Sequence, residues 1–207
     1  MTSDSMLSKL SQFKPGDKTD KHYDEWAKTY EQDLIGTVGY SAHIIGATAL
    51  ADVCPDKSLS VVDIGCGTGL VGVELKKLGF SNIDGLDISP KMMAIAAGKA
   101  IYGKFIEGDM NAGVDAPDCQ YDAAICVGSF APGHLAPTCL PEIIRLVKPG
   151  AAIVIFMNAV PFAAEGYEAH IRALEEQGLW TVQSIETVNY MSALDRPGHL
   201  IFANRCA

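Results

Sequence analysis

Short runs of apolar, mostly β-branched residues alternate along the chain with longer stretches whose apolar positions recur every three or four residues. The first pattern predicts buried strands and the second amphipathic helices, and their alternation predicts a parallel sheet covered by helices. Two helices come first, Tyr23 to about Leu34 and Ser41 to about Val53, separated by Gly36 and Gly39. Strands are predicted at Ser60–Ile64, Asn82–Asp87, Lys104–Glu107, Tyr121–Val127 and Ala151–Met157, and around Thr181–Val188 and His199–Asn204. Between them lie a helix at Leu70–Lys77 that Gly79 ends, one beginning near Pro90, one at Leu140–Val147 that Lys148-Pro149-Gly150 ends, and one around Tyr167–Gln177. A short polar segment with Asp195, Pro197 and Gly198 joins the last two strands. It is too short for a helical crossover, so those strands pair as an antiparallel hairpin.

With 207 residues, 48% of them apolar, the chain can bury one sizeable core, which predicts a single domain over residues 21–207. Residues 1–20 are polar and are expected to form a flexible amino-terminal segment without the apolar core of a signal peptide. No stretch has the apolar length of a transmembrane helix and no run of basic residues suits a membrane surface, so a cytoplasmic protein is expected, with no membrane partner. The formal charge of −9 supplies no attraction to a polyanion, and on that ground nucleic acid is not expected as a partner. Six widely spaced cysteines form no Cys-x-x-Cys pair and read as free thiols, with no metal site.

The chemistry concentrates in Val61-Val62-Asp63-Ile64-Gly65-Cys66-Gly67-Thr68-Gly69. Glycines after a buried strand allow a sharp turn and let a ligand approach the main chain. Two registers compete: Gly65, Gly67 and Gly69 form G-x-G-x-G, whereas Gly67, Gly69 and Gly72 match the G-x-G-x-x-G of dinucleotide-binding folds. Asp63, at the strand's carboxyl edge, would repel a pyrophosphate and attract the cationic amino group of a methionine moiety, which favours S-adenosylmethionine (SAM). It could instead order the turn. Asp87 ends the second strand, where a carboxylate accepts from the ribose hydroxyls of an adenosine, or caps the next helix. Asp109 stands where it could accept from the adenine amine, or be a solvated loop residue. Met92 could pack on the adenine or belong to the core.

In order along the chain, Val62 to Gly69, Gly85-Leu86-Asp87-Ile88-Ser89-Pro90-Lys91-Met92, Gly108-Asp109, Tyr121-Asp122 and Leu146-Val147-Lys148-Pro149-Gly150 resemble the class I SAM-dependent methyltransferases. Tyr23-Asp24-Glu25-Trp26-Ala27-Lys28-Thr29-Tyr30 and Val127-Gly128-Ser129-Phe130 are most similar to the methyltransferase-like proteins of the Williams–Beuren syndrome region. The resemblance implies an α/β, Rossmann-like, seven-stranded and mostly parallel sheet of order 3-2-1-4-5-7-6, with the last strand antiparallel and helices on both faces. It implies that Asp63, Gly65, Cys66 and Gly67 hold the methionine part, Asp87 and Ile88 the ribose, and Asp109, Met110 and Met92 the adenine. Val127 and Gly128 would line the sulfonium and the acceptor. Tyr23, Trp26 and Tyr30 share one helical face and would form a lid over the cofactor, or anchor that helix to the core.

Methyl transfer needs in-line alignment more than any one side chain. A hydroxyl or ammonium acceptor also needs a base, for which His134 after the fourth strand is the candidate, or else a surface or capping histidine. The residues after that strand are Val127-Gly128-Ser129-Phe130 rather than Asn/Asp-Pro-Pro-Tyr/Phe, which argues against methylation of base amino groups. The expected function is therefore methyl transfer from SAM, yielding S-adenosylhomocysteine, to the O or N of a small molecule. Two alternatives stand beside it: a non-catalytic SAM-binding protein, and a nucleotide-dependent oxidoreductase using the second glycine register.

Overall fold

The computed structural model describes residues 20–130, 134–194 and 196–207. The expected amino-terminal segment thus lies almost wholly outside the described residues, as do Ala131 to Gly133 and Asp195. In chain order the elements are α1 (Asp20–Trp26), a π-helical stretch (Gln32–Thr37), α2 (Ala42–Val53), β1 (Ser60–Ile64), α3 (Leu70–Lys77), β2 (Asn82–Asp87), α4 (Pro90–Ala97), β3 (Phe105–Glu107) and β4 (Tyr121–Phe130). A short 3-10 turn (Pro137–Cys139) leads into α5 (Leu140–Leu146), β5 (Val147–Asn158), α6 (Ala159–Ala164), α7 (Tyr167–Glu176), β6 (Trp180–Met191) and β7 (Arg196–Arg205).

The strands form one seven-stranded sheet in the order β3-β2-β1-β4-β5-β7-β6, as expected. The pairs from β3 through β5 are parallel, and β7 runs antiparallel to both of its neighbours. β1 and β4 lie in the interior of the sheet and are covered on both faces, which is why they read as continuous apolar runs. Two hydrophobic clusters cover the faces. One packs α5 and α7 on Ile64, Cys126, Ile153 and Ile155, and the other packs Trp26, α2 and α3 on Val61, Ile125, Val154 and Phe156. Buried Trp180 is anchored by its indole N–H, which donates to the Ile171 carbonyl at 3.1 Å.

Local chemistry explains the element ends. Ser89 caps α4, its hydroxyl accepting from the Met92 amide at 3.2 Å, and Pro90 occupies the first turn, where its missing N–H costs nothing. The structure departs from the expected helix Tyr23–Leu34, because α1 stops at Trp26 and the chain resumes as the π-helical stretch. Asp33 accounts for the break: it accepts from the Trp26 indole at 2.6 Å and from the Thr29 hydroxyl at 3.0 Å, drawing the two segments together across the turn. β4 runs past Val127 to Phe130 through a register shift against β5 that contains Gly128, and β5 begins at Val147 through a second shift. Lys148-Pro149-Gly150 does end α5, but inside a strand that has already paired at Val147.

Candidate functional site

Asp63 lies one residue before the end of β1 and is only 1% exposed. Its Oδ2 accepts from the Tyr102 hydroxyl at 2.6 Å, while its buried Oδ1 has no hydrogen-bond partner. Burial raises its pKa to about 7 and the Asp87 charge adds to the rise, against the opposing pull of the Tyr102 hydroxyl and the Gly72 amide. Gly65 and Gly67 follow with φ of +70° and +52°. A Cβ on Gly65 would stand 1.9 Å from Ser129 Oγ, so the end of β4 can close on the turn only over a glycine. At Gly67 nothing lies nearer than 4.0 Å, which leaves the main chain bare towards open space.

Asp87 is strung between that turn and α4. Its Oδ2 accepts from the Gly67 amide and its Oδ1 from the Ser89 amide, each at 2.8 Å, and burial raises its pKa. A carboxylate has about four lone-pair positions, so acceptor capacity remains for two hydroxyls.

The two glycine registers acquire separate explanations. A Cβ on Gly72 would lie 2.4 Å from the Tyr102 hydroxyl oxygen, the same group that donates to Asp63. The third glycine of the dinucleotide pattern is therefore required by an internal side chain.

Aromatic residues of the amino-terminal segment gather over this region. Ring centroids lie 6.0 Å apart for Tyr23 and Trp26, 4.7 Å for Trp26 and Tyr30, and 6.1 Å for Tyr23 and Tyr30, so the trio stays together despite the broken helix. Asp24 accepts from buried Ser89 Oγ at 2.6 Å and pairs with Lys91 at 3.5 Å, and Glu31 pairs with Lys99. The Tyr23 hydroxyl shares a 2.5 Å hydrogen bond with His134 Nε2. Asn111 ties the loops after β3 and β4, donating to the His134 carbonyl at 3.1 Å and accepting from the Ala136 amide at 2.8 Å.

A pocket of about 300 Å³, including its open mouth, is lined by Tyr30, Tyr40, His43, Gly65, Cys66, Gly67, Thr68, Leu70, Val71 and Val127. Among the sequence candidates, Tyr30, Gly65, Cys66, Gly67 and Val127 meet here, with Asp63 and Asp87 bordering the same turn. The others are not among the residues that line the pocket. Asp109 orders its own loop by accepting from the Asn111 amide at 2.9 Å, and Met110 packs in the core with Ile64, Leu86 and Cys126. Met92 is buried in α4, and Ile88 is 39% exposed. Gly128 adopts φ +78°, and a Cβ there would lie 2.6 Å from the Tyr40 hydroxyl. Tyr40, His43, Thr68 and Tyr102 escaped the sequence reading. Thr68 stood inside the motif, and His43 was a polar residue in an apolar helix, but nothing local distinguishes Tyr102.

Three residues here carry a buried polar atom without a hydrogen-bond partner: Asp63 (Oδ1) before the turn, and Thr68 (Oγ1) and His43 (Nδ1) lining the pocket. Buried groups left in this state lose free energy unless a ligand completes them. The site offers a carboxylate that lacks a cation, two side chains able to donate, and an acidic residue after β2. These requirements fit the amino-acid end and the ribose of SAM. Among the described residues no cluster of His, Cys, Asp and Glu is disposed to hold a metal ion, and all six cysteines are free.

Sheet order, the turn after β1 and the two carboxylates place the chain in the class I SAM-dependent methyltransferase superfamily. Residues 61–150 match the methyltransferase domain family. Human methyltransferase-like protein 27 is 30% identical over 164 residues, covering 76% of this chain and 66% of that protein, which meets the expected likeness to methyltransferase-like proteins. The 18S rRNA (guanine-N(7))-methyltransferase of Bos taurus is 40% identical over 83 residues, 40% of this chain and 29% of that protein. The chain thus spans less than a third of that relative's length and about two thirds of the human one. Among solved structures, the [4+2]-cyclase SpnF superposes with a TM-score of 0.74 at 18% identity, over 94% of this chain and 97% of its own. A SAM-dependent methyltransferase from Mesorhizobium loti superposes at 0.59 with 19% identity, over 76% and 96%.

These relatives correct one expectation. A small-molecule acceptor with nucleic acid excluded does not stand, because relatives from Bos taurus, Saccharomyces cerevisiae and Arabidopsis thaliana are 18S rRNA methyltransferases. The physical reason is one of scale. Net charge governs long-range, non-specific attraction, whereas an acceptor is selected by the local surface around the cofactor. No helix among the described residues is long and apolar enough to cross a membrane.

Proposed function

We propose that this chain transfers the methyl group of SAM to an acceptor, with the cofactor seated on the turn after β1. The observation that carries this reading is the unpartnered, buried Oδ1 of Asp63, a carboxylate oxygen that needs a cation beside a bare glycine turn. The α-ammonium of SAM supplies that cation, whereas a pyrophosphate would be repelled. Gly65, Cys66 and Gly67 hold the methionine part, Asp87 takes the ribose hydroxyls, with Ile88 beside it, and Asp109, Met110 and Met92 border the adenine. Val127 and Gly128 face the sulfonium, and Tyr23, Trp26 and Tyr30 roof the site and keep water from it. Bound SAM supplies an electrophilic methyl group that needs only in-line approach of a nucleophile. Where the acceptor carries a proton, His134 takes it, its Nε2 oriented by the Tyr23 hydroxyl.

Calorimetric titration with SAM and, separately, with NADH tests the cofactor. Binding of SAM alone is expected, and binding of NADH alone would overturn the reading. The same fold carries a [4+2]-cyclase, so catalysis is tested separately. With isotopically labelled SAM and pools of RNA, protein and metabolites, label is expected in one pool.

A further inference from the structure

Thr68 and His43 have no role in the function proposed above, yet both line the same pocket and each carries a buried polar atom without a partner. Thr68 is 1% exposed, in the turn just before α3, and Leu70 and Val71 of the first turn of α3 also line the pocket. His43 is 5% exposed near the start of α2, and its ring stacks on Tyr40 with centroids 5.6 Å apart and planes 6° from parallel. That stack fixes the imidazole plane. One acceptor without a cation at the end of β1, and two polar side chains without a partner lining the pocket over the turn that follows it, are complementary to both ends of an α-amino acid zwitterion.

We propose that His43 is the specificity-determining residue that holds the α-carboxylate of the methionine moiety, assisted by the Thr68 hydroxyl and the amino-terminal end of α3. The assignment rests on the SAM reading above and places the carboxylate contact on α2. The electrostatics agree. Burial holds the imidazole in its neutral form, while Glu74 and Glu31 on one side and Lys77 and Lys99 on the other act in opposite directions. Tyr40, against the ring face, adds no charge at neutral pH. A carboxylate bound against the ring draws a proton onto His43.

The test compares SAM with decarboxylated SAM, which keeps the ammonium, the sulfonium and the adenosine. Wild-type protein is expected to prefer SAM by about tenfold or more, the effect of a charge-assisted hydrogen bond. In His43→Leu that preference should collapse to within about threefold, mainly through loss of SAM affinity, and His43→Gln, which retains a donor, should fall between. Calorimetry in two buffers of different ionisation enthalpy gives a second readout on the wild type. Asp63 responds to the ammonium of either ligand, so any difference in proton exchange between the ligands isolates His43. Greater proton uptake with SAM is expected, and its absence overturns the proposal. A His43→Leu protein that keeps the tenfold preference also overturns it, as does one that loses affinity for both ligands equally. A wild-type protein that binds neither ligand removes the cofactor reading and this inference together.

Discussion

A carboxylic acid with one oxygen on a phenol and the other on nothing, almost fully removed from water, is a stored demand for a cation. Two outcomes follow for Asp63. Its pKa in the folded ligand-free protein is about 7, against 3.8 for an ordinary aspartate, so the folded state binds the extra proton between those values. Its contribution to stability is therefore fully present below about pH 4 and is lost as pH rises through about 7. Melting temperatures of the ligand-free protein should record that loss, and Asp63→Asn should flatten it. SAM affinity should run the other way, rising as pH increases through about 7, because the ammonium needs the ionised form. Asp63→Asn should weaken SAM binding by about 1.5–3 kcal/mol in calorimetry. Asp87 differs in that backbone amides already occupy both of its oxygens. Asp87→Ala should cost about 1–3 kcal/mol of SAM affinity and also loosen the turn, seen as faster hydrogen exchange at Gly67.

At the level of elements, the repeating strand–helix pattern was legible because apolar periodicity responds to burial, and burial in a sheet covered on both faces is nearly complete. β1, α3 and β2 begin and end where the residues predict. The misplaced boundaries share a cause: contacts distant in sequence decide them. α1 ends early because Asp33 reaches back to Trp26, and β4 is prolonged beyond Val127 by pairing with β5. The candidate site was legible where chemistry and local sequence coincide, at Asp63, Gly65, Gly67 and Asp87. It was hidden at Tyr40, His43 and Tyr102, which arrive from segments on either side of the motif. The ties of α1 to the body through Asp24 with Ser89 and Tyr23 with His134 should be measurable. Ser89→Ala removes both the α4 cap and the Asp24 contact, and limited proteolysis should then cut between α1 and α2 several times faster than in the wild type.

On the scale of the molecule, the two hydrophobic clusters share one sheet, so a ligand bridging the β1 turn and the β2 terminus should stabilise the domain as a unit. SAM at a hundred times its dissociation constant contributes about 2.7 kcal/mol, which for a domain of this size raises the melting temperature by about 5–10 °C. Scanning calorimetry checks this, and a shift confined to α1 would argue that the cofactor contacts only the roof. The negative formal charge governs long-range attraction, whereas the acceptor is chosen by the local surface around the cofactor. The contact of Tyr102 with Gly72 reaches beyond this one chain. In any descendant fold, positions 63, 72 and 102 must vary in concert: a side chain at 72 evicts the phenol, and loss of the phenol strips the carboxylate of its neutral partner. Covariation among these three positions would mark the lineages that kept this wiring, and its absence would mark those in which the spacing survives as an inherited habit of the turn.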